Sequence, residues 1–310
     1  MFSKTLNTVN IKLEKYSLSY RTLFDIYIFC VLVPLFLTTV FVTSLNKSFA
    51  LYTADPTIYT IYFSNFAHAG VSHFTNNLTF YLFIISLILV LHKTLKIRTK
   101  KEFYYDNALI YLSVPFAVSL YNVKYGPVNN IDVSLGFSGI VSALNGYLVA
   151  LLFIFIYTHT GTKLTKLNYV LSSVIFFNLL LLMNFKYKVE SEYTTLLIFL
   201  IIFCLLNARK DITHILSFVL LYTDNNMEFK NIYIEYVFFT LVVLFGGMVM
   251  FLIVLLWFAM FPDNIRTETG STVNIVGHYL GYCIGIFIPW FIHLIQISYP
   301  HKSSSTTKVT

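Results

Sequence analysis

GFSGIVSALNGY, residues 136–147, sets a serine between two glycines at the start of a long apolar run. Polar side chains at membrane depth are costly and tend to mark function, so Ser138 stands out as a candidate nucleophile. A nucleophilic hydroxyl needs a base, donors for a developing oxyanion, and water. Outward from Ser138, the chain offers His278 as the base and His73 with Asn77 as the donors.

Composition sets the class. Apolar residues make up 57% of the chain and charged residues 11%. Repeated apolar segments of ~20 residues, each long enough to cross ~30 Å of hydrocarbon, exclude an ordinary soluble domain. The expected fold is all-α, a polytopic transmembrane helical bundle. The cysteines Cys30, Cys204 and Cys283 all fall in apolar runs and read as small core residues, not as a disulfide framework.

Eight spans are expected, at about 22–44, 69–91, 105–122, 137–158, 168–185, 192–207, 232–261 and 272–295. A further segment at 212–222 reads as interfacial or buried. The polar lead, long first run and lack of a small-residue cleavage site predict that 22–44 stays as a span. Residues 1–21 form a cytoplasmic N-terminal segment, 22–299 the membrane domain, and 300–310 a polar tail. With the N-terminus inside, sixteen Lys and Arg fall on inner segments and five on outer ones, the direction of the positive-inside rule. Both termini are then cytoplasmic and the plasma membrane is the expected location. The net charge of +7 needs no nucleic-acid partner to explain it.

Orientation has a chemical consequence. The spans that open at His73, Ser138 and His278 all run from outside to inside, so these residues share a depth near the outer face. Ser138, Ser142 and Asn145 recur at helical spacing on one face, as do His278, Gly281 and Gly285. Small residues so spaced let membrane helices approach backbone to backbone, and pairing these faces brings His278 to Ser138. His73 and Asn77, four apart on one face, both carry hydrogen-bond donors.

Each feature has a plainer reading by itself. Ser138 alone reads as a helix cap, His73 with Asn77 as a structural pair between helices, and His278 with its glycines as a packing face. His68, His73 and His278 could ligate zinc, but no HExxH motif or adjacent carboxylate supports it, and no metal or cofactor is expected. His92, His159, His214, His293 and His301 lie near span ends or inner loops.

Taken together the motifs carry a resemblance. His68, His73 and Asn77, spaced by five and four residues, resemble the second-span motif of the rhomboid intramembrane serine proteases. Gly136-Phe137-Ser138-Gly139 is similar to that family's nucleophile motif, extended by Ala143, Gly146 and Tyr147; His278, Gly281 and Gly285 are similar to its last-span motif. The resemblance implies a Ser138–His278 dyad, an oxyanion site at His73 and Asn77, and supporting roles for His68, Gly136, Gly139, Gly281 and Gly285. It implies a six-span core with about two extra spans inserted, near 161–230, between the serine and histidine helices. It implies single-span membrane-protein substrates in a lipid bilayer, and a Ser-His pair that no carboxylate completes to a triad. The span at 232–261 or the loop at 263–271 is the expected gate.

The chain departs from the family pattern at two further points. The Trp-Arg pair of the first outer loop is missing, with Tyr59-Thr60 in the comparable place. Ser142 stands where an aromatic residue often packs on the histidine. A catalytically silent rhomboid-like protein that binds or escorts membrane clients is the alternative; a transporter lacks support from any internal repeat.

Overall fold

In the computed structural model, residues 20–95, 99–127, 132–159, 202, 206 and 275–298 are described. They are mostly helical. Apart from Ile202 and Leu206, the segments expected at 168–185, 192–207, 212–222 and 232–261, the insertion at 161–230, the proposed gate, the tail and nearly all of the N-terminal segment lie outside the described residues.

The first helical stretch comprises α1 (Tyr20–Ile26), a π-helical turn (Tyr27–Leu32) and α2 (Val33–Val42). Pro34 explains the change of register. It has no N–H to give a carbonyl a turn back, so the helix ahead of it cannot keep its ordinary ladder. The Val33 N–H reaches back to the Ile28 carbonyl, and the Phe29 carbonyl takes its hydrogen bond from the Tyr81 hydroxyl at 2.7 Å. A second proline repeats the problem and the remedy. Pro115, inside a long helix, leaves the Tyr111 carbonyl without its usual donor, and the Tyr62 hydroxyl supplies one at 3.2 Å.

Among the described residues, two helices are long and apolar enough to cross a membrane, Thr22–Val42 and Val71–Lys93. The second lies within α5 (Val71–Leu95), and α6 (Lys100–Tyr125) follows. α6 has the length of a span but is less apolar than expected for 105–122: Asp106, Asn107, Ser119 and Asn122 are buried within it. Thr99 and Glu102 form a capping box that starts it. The helices of the two remaining motifs are α7 (Ser138–His159) and α8 (Ile275–Ser298).

The segment 45–67 is more than a connection. It contains α3 (Leu45–Ser48), strand β1 (Leu51–Tyr52), α4 (Ile58–Phe63) and a 3-10 turn (Ser64–Phe66). β1 pairs antiparallel with β2 (Val133–Ser134), Leu51 opposite Ser134. Thr57 and Thr60 form a capping box at the start of α4. The Asn46 side chain grips the backbone of His68 at both ends, accepting its N–H at 2.8 Å and donating to its carbonyl at 2.9 Å. These contacts anchor the loop.

The core gathers on α7. Ile140, Val141, Leu144, Tyr147 and Leu148 are fully buried, with Tyr81, Ile84 and Ile88 of α5, Ile110 and Val114 of α6, and Tyr282 of α8 in the same cluster. Tyr147 also donates to the buried carboxylate of Asp106 at 3.0 Å, tying α7 to α6.

Candidate active site

α7 and α8 meet backbone to backbone. A β-carbon at Gly281 would fall on the carbonyl oxygen of Gly139, and one at Gly285 on that of Ala143. A β-carbon at Gly146 would strike the Tyr282 carbonyl. The match of 139 with 281 and 143 with 285 makes the helices parallel. The contact face on α7 is therefore Gly139, Ala143 and Gly146. This corrects the expectation of Ser138, Ser142 and Asn145, which sit beside it on the same cylinder. Asn145 is fully buried and neither atom of its amide is hydrogen-bonded.

Parallel packing in this register brings the start of α7 and the start of α8 to one end. Ser138 and His278 both line a cavity of about 30 Å³ there, room for about two water molecules. Gly136, Gly139 and Gly277 also line it, as do Ser64, Asn65 and Ser134. His278 is buried, while Ser138 keeps partial exposure.

Ser138 is not the cap of its helix. The first helical bond runs from the Val141 N–H to the Phe137 carbonyl at 3.1 Å, which makes Phe137 the capping residue. The serine hydroxyl thus projects from the first helical position. The N–H groups of Ser138, Gly139 and Ile140 belong to the opening turn, which has no helical carbonyls behind it, and the helix dipole adds partial positive charge.

Gly136 has φ of 141°, a region side chains avoid, and its space is taken as well. A β-carbon there would lie 2.8 Å from Cε1 of His73 and 3.8 Å from Ser138 Oγ. The His73 ring and the serine hydroxyl therefore border the same small space. Asn77 lies one turn further along α5, buried, with its Nδ2 atom making no hydrogen bond.

His68 packs edge-on against His73, ring centroids 5.4 Å apart, and against Phe74 at 5.2 Å. Burial, and then the neighbouring His73, push its pKa down from 6.5 to about 3; the Phe66 carbonyl acts weakly the other way. His68 is a neutral ring supporting His73 from behind.

The structure thus brings Ser138, His278, Gly136 and Gly139 to one cavity, sets His73 at its edge, and buries Gly281 and Gly285 in the helix contact behind it. Sequence reasoning missed the polar residues Ser64, Asn65 and Ser134 in the lining. Asn65 donates to Ser119 Oγ at 2.9 Å and to the Pro115 carbonyl at 3.2 Å, and Asn122 donates to Ser134 Oγ at 2.7 Å. The available signal was polar residues one turn apart, Ser119 and Asn122, in a helix read as a span. Among the described residues, no group of three His, Cys, Asp or Glu is placed to hold a metal ion.

Comparison of the chain with protein-family models, with curated proteins and with solved structures finds no match.

Proposed function

We propose that the chain is a rhomboid-type intramembrane serine protease, multi-pass with both termini cytoplasmic, cutting single-span membrane proteins. The observation that carries this reading is the shared cavity of Ser138 and His278 at matching ends of two parallel helices. The apolar residues that α1 and α2 turn outward, among them Leu23, Phe24, Leu35 and Phe36, support contact with lipid.

His278 accepts the Ser138 proton as Oγ attacks the carbonyl carbon of the scissile peptide. The carbonyl oxygen becomes an anion facing the Asn77 amide, His73 and the N–H groups opening α7. The tetrahedral species collapses with cleavage of the C–N bond, and the amine leaves with the proton held by His278. A water then attacks the acyl ester and gives its proton to His278; the ester C–O bond breaks, His278 returns that proton to Ser138 Oγ, and the carboxylic acid leaves. The free serine is restored.

The test is cleavage of a model single-span substrate by protein reconstituted in liposomes. Wild type should cut it and react with a fluorophosphonate at Ser138; Ser138→Ala and His278→Ala should do neither. Cleavage that persists in Ser138→Ala overturns the reading. Binding of the substrate without cleavage by wild type replaces it with the escort function.

A further inference from the structure

The loop leading into Ser138 is fastened by two polar side chains of α6, one turn apart. Asn122 fixes one end directly, through Ser134 Oγ at 2.7 Å. Ser119 reaches the other end through an intermediate. Its hydroxyl accepts from Asn65 Nδ2 at 2.9 Å and lies 3.3 Å from Ser64 Oγ. The Ser64 carbonyl then accepts the N–H of Gly136 at 3.1 Å.

A hydroxyl has one donor and two acceptor sites, so Ser119 can serve both partners at once. Ser64, Asn65 and Ser119 are all at most 3% exposed, which shields these bonds from competition by water. Gly136 is the soft point of the loop, since a glycine at positive φ has little steric restraint of its own. The bond to the Gly136 N–H holds the backbone two residues ahead of Ser138, where the helix packing of α7 on α8 does not reach.

We propose that Ser119 is a positioning residue: acting through Ser64 and Gly136, it fixes where the Ser138 hydroxyl sits relative to His278. The catalytic half of this rests on the protease reading; the loop fastening does not. Ser119 touches no reacting group, and a displacement of the nucleophile by about 1 Å is enough to slow a reaction on the order of 10²-fold.

The experiment compares Ser119→Ala and Ser119→Thr with wild type in two measurements: hydrogen exchange at the Gly136 amide in detergent, and kcat with KM on a reconstituted single-span substrate. Ser119→Ala should speed Gly136 exchange and lower kcat, each on the order of tenfold or more, with KM nearly unchanged. Ser119→Thr, which keeps the hydroxyl, should restore both. Unchanged Gly136 exchange in Ser119→Ala overturns the proposal whether or not the chain is a protease. Faster exchange with unchanged kcat in an active enzyme overturns the positioning role. If wild type neither cleaves nor reacts with a fluorophosphonate, the protease reading and the positioning role fall together, and faster exchange then upholds the loop fastening alone.

Discussion

The carbonyl oxygen of Gly139 occupies the place where a side chain at residue 281 would begin. Backbone cannot move aside as a flexible side chain can, so even one methyl group at 281 must part α7 from α8. Ser138 is the neighbour of Gly139, and His278 lies one turn before Gly281. Gly281→Ala should therefore cost stability of about 3 kcal/mol, the upper range for overpacking. It should also abolish cleavage by drawing His278 away from Ser138. Gly70→Ala is the control, since a β-carbon there meets nothing within 4 Å. Thermal unfolding in detergent alongside the cleavage assay checks both; wild-type behaviour in Gly281→Ala contradicts the close approach.

Asn77 presents a buried amide nitrogen with no hydrogen bond. Such a donor is poorly satisfied in the resting protein and gains most when an anion forms beside it. Asn77→Ala should lower kcat by about 10²–10³-fold and change KM little. Asn77→Asp has similar size but brings negative charge toward the anion, and should be at least as inactive. A rise in KM with kcat preserved assigns Asn77 to substrate binding instead.

Two tyrosine hydroxyls stand in for N–H groups that prolines lack: Tyr81 for the Phe29 carbonyl and Tyr62 for the Tyr111 carbonyl. Tyr111 also donates to the Tyr81 hydroxyl at 3.1 Å, so the two repairs lie on connected residues. Tyr81→Phe and Tyr62→Phe each keep the ring and delete the donor, leaving a carbonyl unsatisfied. Each should lower stability by about 1–3 kcal/mol. Tyr81, fully buried, should be the more costly. A denaturation series in detergent measures it; equal stability of Tyr81→Phe and wild type would mean that the carbonyl finds another donor.

The sequence showed the helical class through apolar run length, and motifs at helical spacing pointed to the candidate site. It placed Ser138 at the start of a helix correctly, since the glycines around it and the apolar run after it are local signals. The contact face was misjudged by one position because Ser138, Ser142 and Asn145 and Gly139, Ala143 and Gly146 have the same spacing. Only the approach of α8 to the Gly139 and Ala143 carbonyls distinguishes them. The structured loop at 45–67 was not legible for another reason: its anchors are long-range. Asn46 grips His68, β1 pairs with β2 across the chain, and Asn65 reaches Pro115 and Ser119 on α6. No window of neighbouring residues contains such pairs.

His68 links this loop to the pH response of the fold. Its pKa is pushed down from 6.5 to about 3 in the folded protein, first by burial and then by His73. Above pH 6.5 both folded and unfolded chains hold the ring neutral, and His68 contributes no pH dependence. Between 6.5 and about 3 the unfolded chain binds a proton that the folded chain refuses, so stability falls as pH drops. Below that window both states are protonated and the loss is complete. His68→Phe keeps an aromatic ring against Phe74 and His73 but cannot titrate. The wild-type unfolding midpoint should decline from pH 7 toward pH 4, and His68→Phe should decline less steeply over the same interval. The measurement is thermal unfolding in detergent across that range, with parallel wild-type and variant curves contradicting a buried neutral His68. The steeper wild-type slope would locate the acid sensitivity at the ring behind His73, where the loop held by Asn46 meets the candidate oxyanion site.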